Sequence, residues 1–197
     1  ALPERAAARE ALGLDPDAGV VLYAGGLLRW KGVDVLVDAA RGDLLGKATV
    51  LIVGGMDADV TALRQRASGL SNVRVLGHRA AHEIPLFLAA ADVGVVPNRR
   101  KPRISSHYTS PLKVFEAMAA GLPLVVSDLP SLRDVLRPDE AVFVEPESPE
   151  ALGRGIAGLL ADADHRRAMA ARARESVQAN TWGARARRIL TFMEQHA

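Results

Sequence analysis

The chain contains no cysteine. That excludes disulfides and thiolate metal sites, and it fits a reducing, cytoplasmic setting. Aromatic side chains make up only 4% of its 197 residues, although 49% are apolar. The core must therefore be filled by Ala, Val and Leu. Nowhere do 18 apolar residues run together, so no stretch reads as a membrane span. No basic segment leads into a short apolar one, so no signal peptide is expected. The sequence begins with Ala rather than Met. A strong excess of one charge is also missing: the net charge is +2 and the pI about 9.3. That balance is too mild to indicate a nucleic-acid partner. The turn after the first apolar run carries neither G-x-G-x-x-G nor G-x-x-x-x-G-K-[ST], and no G-x-S-x-G appears anywhere. A dinucleotide fingerprint, a P-loop and an α/β-hydrolase elbow are thereby set aside.

What is present is a rhythm. Short Val- and Ile-rich runs at Val20–Ala24, Thr49–Val53, Val73–Leu76, Val93–Val96, Leu124–Ser127 and Ala141–Val144 read as six strands. Between them lie helical patterns at Val33–Ala40, Val60–Ala67, Glu83–Ala90, in the segment starting at Ser110, and near Ser131–Leu136. Strands so short and apolar are buried on both faces, and the alternation predicts one α/β domain built on a doubly wound parallel sheet. Three further helices, Pro149–Leu160, Asp164–Gln178 and Trp182–Glu194, read as an appendage to that sheet. They are rich in arginine. Such a face is a solvated helix surface, a lipid contact or a seat for a partner domain. Ligands of doubly wound sheets bind at the carboxyl ends of the strands. That rule gathers Gly25-Gly26, Gly54-Gly55, Gly77-His78, the polar loop Asn98–Thr109 and Ser127-Asp128 around one crevice.

The most informative stretch is Ser110-Pro111-Leu112-Lys113-Val114-Phe115-Glu116. Ser110 suits an N-cap and Pro111 a first helical position. The amides of Leu112 and Lys113 are then left for an anion, Lys113 adds a charge, and Glu116 follows where it could grip a diol. An ordinary buried helix containing one Glu is the alternative. The turn Gly25-Gly26-Leu27-Leu28-Arg29-Trp30-Lys31-Gly32 either approaches a phosphate, with Arg29 or Lys31 as counter-charge, or is simply tight. Asp57 and Asp59 have a spacing that could hold Mg²⁺ but also suit a helix start. His78, His82 and His107 are scattered, with no metal-site spacing. Arg99, Arg100, Lys101 and Arg103 make the longest loop basic, as a lid or as a solvated charge run.

Taken together, Tyr23-Ala24-Gly25, Trp30-Lys31-Gly32-Val33-Asp34, Leu51-Ile52-Val53-Gly54-Gly55, Ala91-Asp92-Val93 with Pro97, Ser110-Pro111-Leu112-Lys113 with Glu116-Ala117-Met118-Ala119-Ala120-Gly121-Leu122-Pro123, and Ser127-Asp128 resemble the family 4 (group 1) glycosyltransferases. The likeness is to their C-terminal, donor-binding domain, from about Arg5 to Thr181-Trp182. It implies the Rossmann-like C-terminal half of a GT-B fold, with the acceptor-binding domain preceding residue 1. It also implies a retaining, metal-independent sugar transfer that uses no cofactor. The donor would be a nucleotide-sugar such as a UDP- or GDP-sugar. By the same resemblance Lys31 pairs with the diphosphate, as a catalytic group together with Glu116. The amides after Ser110 hold the same phosphates, Glu116 binds the ribose, and the backbone around Gly77, His78 and Arg79 reads the base. A contact with the cytoplasmic face of a membrane is a further implication for the full-length enzyme. Two departures stand out. The family arginine after the first glycine is Gly26 here, with Arg29 three residues on. The first of the family's two glutamates falls at Tyr108. A nucleotide-sugar 2-epimerase and a non-catalytic nucleotide-binding scaffold share the expected fold.

Overall fold

The computed structural model describes residues 2–109 and 112–196. Six strands form one sheet: β1 (Val20–Ala24), β2 (Thr49–Val53), β3 (Val73–Gly77), β4 (Val93–Val96), β5 (Leu124–Ser127) and β6 (Ala141–Val144). All five pairings are parallel and the spatial order is β3-β2-β1-β4-β5-β6. Successive strand residues point to opposite faces, and both faces are covered. Val21, Tyr23, Val50 and Ile52 point into one layer, with α2 (Val33–Arg41), α3 (Asp57–Arg66) and α7 (Pro149–Ala161). Val20, Leu22, Leu51 and Val53 point into the other. There they meet α1 (Arg5–Ala11), α4 (Ile84–Ala90), α5 (Leu112–Ala120), α6 (Pro130–Arg133) and part of α8 (Ala163–Ser176).

The strand order reverses between β1 and β4. The connections after β1 and β4 run to opposite sides there, at the place such sheets use for ligands. Two glycines allow close approach between neighbouring turns at this edge, Gly32 toward the end of β4 and Gly54 toward the turn after β1. Gly32 has φ 65°, and a Cβ on it would lie 2.0 Å from the Pro97 carbonyl oxygen. Gly54 has φ 114°, and its Cβ would lie 2.2 Å from the Gly25 carbonyl oxygen. Only a residue without a side chain permits either approach.

The structure departs from the sequence expectation in four places. Helix α1 precedes β1, although no apolar stripe announces it. It is held by Arg9, which is buried and donates from Nη2 to Asp92 Oδ2 at 2.7 Å, from Nε to the Ala90 carbonyl and from Nη1 to the Pro16 carbonyl. Asp92, also buried, accepts from the Val20 amide at 2.8 Å as well. A charge so enclosed needs these partners, and they pin the helix to the sheet. Helix α3 begins at Asp57 rather than Val60, so Asp57 and Asp59 occupy its first turn, where its dipole favours acids. Helix α6 begins at Pro130, one residue before the predicted Ser131, and ends at Arg133. The loop after Asn98 is not simply polar and solvated. It contains a π-helical turn at Ile104–Tyr108, and Asn98, Ser105 and Ser106 are buried. Ser131 Oγ donates to the Ser105 carbonyl at 2.8 Å, which ties the loop to α6. Ser110 and Pro111, the expected cap and first helical residue of α5, lie outside the described residues.

Candidate nucleotide-binding site

The site grows from three turns at the carboxyl end of the sheet. The first follows β1. There Gly25 and Gly26 lead into a 3₁₀ turn at Arg29–Lys31, which Gly32 ends in the left-handed conformation. Lys31 is half-buried and its Nζ lies 3.8 Å from the centroid of the Trp30 ring. Burial pushes its pKa down.

The second contribution is the start of α5. Lys113 reaches back across the tip of β1. Its Nζ donates to Tyr23 Oη at 3.0 Å and sits 4.2 Å from the centroid of that ring. Tyr23 Oη in turn donates to the Gly26 carbonyl at 2.6 Å. The ammonium lies against Gly25, where a Cβ would come within 2.9 Å of Nζ. Desolvation, with repulsion from Lys31, lowers the Lys113 pKa to about 7, and the Glu116 carboxylate only partly opposes this. Lys31, from the turn after β1, and Lys113, from α5, therefore lie near enough to repel one another. Among the described residues, neither has a carboxylate in ion-pair contact. Leu112 and Lys113 are the first described residues of α5. Two cations at one edge of the sheet favour an anion, and a diphosphate supplies two adjoining charges for them. Glu116 is exposed one helical turn further on and borders the same small gap as Lys113.

The third contribution is the turn after β3. The Gly77 carbonyl accepts from the Gly54 amide at 2.7 Å. Beyond it, His78 and Arg79 line a cavity of about 370 Å³ together with Gly25, Gly26, Gly54 and Gly55. This brings the expected base-reading segment beside the first glycine turn.

Arg29 is placed differently. It lines a cavity of about 590 Å³ with Trp30, Lys101 and Arg103, and another of about 320 Å³ with Leu27, Leu28 and Asp34. Two of the basic loop residues are ion-paired. Arg99 bonds Asp34 at 2.5 Å and Glu147 at 2.9 Å, and Arg100 pairs with Glu145. Tyr108 is 69% exposed on the π-helical turn. Among the described residues no three His, Asp or Glu side chains come together as metal ligands. Among the described residues no helix is long and apolar enough to cross a membrane.

Sequence reasoning passed over two residues here. Tyr23 is the hydrogen-bonding partner of Lys113, and its one signal was a hydroxyl-bearing ring in an otherwise aliphatic strand. Asn98 is buried at the tip of β4, and neither end of its amide has a partner among the described residues. No signal in the sequence marked it.

The fold defines a Rossmann-like α/β domain with two lysines at its switch point. The chain belongs to the glycosyl transferases of group 1, whose family model matches residues 18–162. It is 32% identical, over 97% of its length, to a D-inositol 3-phosphate glycosyltransferase of Xylanimonas cellulosilytica, of which it covers 46%. It superposes on the sucrose-phosphate synthase of Thermosynechococcus elongatus with a TM-score of 0.80 at 30% identity, covering 98% of this chain and 49% of that one. The fold also matches Anabaena HepE, solved in complex with UDP-glucose, with a TM-score of 0.73 at 24% identity over 86% of this chain and 46% of that one. The chain thus spans about half the length of the curated relatives it matches, and it corresponds to the C-terminal half of the GT-B architecture.

Proposed function

We propose that this chain is the donor-binding half of a retaining, metal-independent glycosyltransferase that transfers a sugar from a nucleotide-sugar. The observation that carries this reading is the pair Lys31 and Lys113, which lie near one another at the switch point without a carboxylate partner among the described residues. A nucleoside diphosphate leaving group develops charge as the glycosidic bond to the sugar breaks. Two lysines and the first amides of α5 stabilise that charge where it appears. Glu116 is exposed at the distance of one helical turn, suited to accept from ribose hydroxyls. His78 and Arg79 line the adjoining cavity where the base would lie. Anabaena HepE, with the same fold, was solved with UDP-glucose, which supports a uridine donor as the first to test. Tyr108 is exposed where the family pattern has its first glutamate, so the donor sugar is held here without that carboxylate.

The acceptor and its catalytic groups belong to a preceding domain. Helix α9 (Trp182–Gln195) supports this. Trp182, Ile189, Leu190, Phe192 and Met193 are all at least 50% exposed, an apolar face that the described residues leave uncovered. We read that face as the seat of the preceding half rather than as a lipid contact, and the whole enzyme as cytoplasmic.

Calorimetric titration of the 197-residue chain with UDP, GDP and ADP tests the reading. One of them is expected to bind, and the chain alone is expected to transfer no sugar. Failure of all three to bind, or robust transfer by this chain alone, would overturn it. In the same assay Glu116→Ala is expected to weaken the preferred nucleotide by about 1.5–3 kcal/mol, the worth of hydrogen bonds to a charged group. The 2′,3′-dideoxynucleotide should then bind both proteins alike. A wild-type chain indifferent to the ribose hydroxyls would remove Glu116 from the site.

A further inference from the structure

We infer that Tyr23 is a positioning residue for Lys113, and that donor binding is coupled to the uptake of one proton by Lys113 Nζ. The inference rests on the donor-site reading above and adds a protonation step to it.

Tyr23 lies in the middle of the sheet's carboxyl edge, fully buried. Its hydroxyl proton is committed to the Gly26 carbonyl, so the oxygen lone pairs remain for Lys113 Nζ. Burial raises the pKa of Tyr23, so the phenol stays neutral and offers Lys113 an acceptor but no charge. Three titratable groups face the amine. Tyr23 comes from β1, Lys31 from the 3₁₀ turn as a like charge, and Glu116 from α5 itself, exposed and weakly opposing. Gly25 closes the remaining side with backbone. A lysine so placed holds its proton weakly. The bond to Tyr23 serves both –NH₂ and –NH₃⁺, and it is stronger from the ammonium.

A diphosphate changes the balance. Its charges face Lys113 in a poorly solvated corner and favour the ammonium there. The Nζ lone pair then takes a proton from the buffer acid, one N–H bond forms, and the buffer is left as its conjugate base. Release of the nucleoside diphosphate reverses the step. The site is thereby least charged when empty and fully charged when occupied.

The test uses the whole 197-residue chain, which has only four lysines, so the side-chain resonances of Lys113 can be followed singly. In the free protein Lys113 is expected to titrate at about 7, and with UDP bound to remain an ammonium through pH 8. Calorimetry at pH 8 in buffers of different ionisation enthalpy is expected to show uptake of about one proton per UDP. Lys113→Arg should bind UDP without uptake. Tyr23→Phe should weaken UDP about tenfold and move the Lys113 midpoint lower, because the acceptor that favours the ammonium is gone. A purely structural Tyr23 would leave that midpoint in place and lose its assigned role. Lys113 titrating near 10.5 in the free chain overturns the coupling whatever UDP does. Binding with no buffer dependence overturns the coupling and leaves the donor site standing. No binding of any nucleoside diphosphate, with Lys113 still titrating near 7, sinks the donor site and the coupling with it. If Tyr23→Phe does not fold, Lys113→Arg still decides the proton step.

Discussion

Replacing Lys113 by Met is expected to weaken a nucleoside diphosphate about 100-fold while making the protein more stable. The first effect is the loss of a charge-assisted contact to phosphate, on the order of 2–3 kcal/mol. The second follows from the environment of the amine. Lys113 sits against the Tyr23 ring with Lys31 repelling it, and its pKa falls from 10.5 to about 7. Between those values the unfolded chain holds the proton more tightly than the folded one. Stability of the natural chain therefore rises with pH through this window, and the full penalty is present below about 7. Met has similar volume and no charge to desolvate, so the variant should gain about 1–3 kcal/mol at pH 6 and lose that pH slope. Melts of both proteins from pH 6 to 10, beside calorimetry with UDP, check the two halves together. A variant that melts lower at pH 6, or keeps the natural slope, would show that Lys113 is not the strained group described here.

Gly54→Ala is expected to cost about 3–5 kcal/mol, a large part of the stability of a domain this size. Two penalties add. At φ 114° a residue with a Cβ is strained whatever the space. The new Cβ would also lie 2.2 Å from the Gly25 carbonyl oxygen, a backbone atom of the neighbouring turn that no rotamer change can move. Relief requires the tips of β1 and β2 to part. That loosens the Gly25 amide from the Val53 carbonyl, at 2.8 Å, and the Gly54 amide from the Gly77 carbonyl, at 2.7 Å. Both bonds shape the cavity assigned to the nucleotide. Gly46→Ala is the control: its φ is 51° but nothing lies within 4 Å of its Cβ. The control should lose about 1 kcal/mol and Gly54→Ala about 10 °C or more in melting temperature. Equal melting temperatures for the two variants would contradict the close approach of the strand tips.

The legible parts of this protein are those written in short-range pattern. Val20–Ala24, Thr49–Val53 and the other apolar runs emerge as strands within a residue of their predicted limits, because a strand buried on both faces needs an uninterrupted apolar run. The glycine turns after β1, β2 and β3 mark the functional edge for a similar reason, since a backbone that must turn or approach closely excludes side chains. The first helix, Arg5–Ala11, escaped because it is held by the Arg9–Asp92 pair, 83 residues apart, and not by an apolar stripe. The loop from Asn98 read as solvent-exposed because its residues are polar. Its burial depends on α6, which follows it in the chain and takes the Ser105 carbonyl.

The sequence by itself determined the class of fold, and it singled out Lys31, Lys113 and Glu116 as candidates at the carboxyl edge of the sheet. Tertiary structure alone decided the strand order β3-β2-β1-β4-β5-β6, which local propensity does not encode because crossovers set it. It set Arg29 beside Trp30, Lys101 and Arg103 of the loop after β4. It also joined Lys113 to Tyr23, 90 residues away, and buried the amine near Lys31, which lowers its pKa. The physical reason is the same in each case. Charge and backbone direction depend on what is packed alongside, and the neighbours that matter here are distant in the chain.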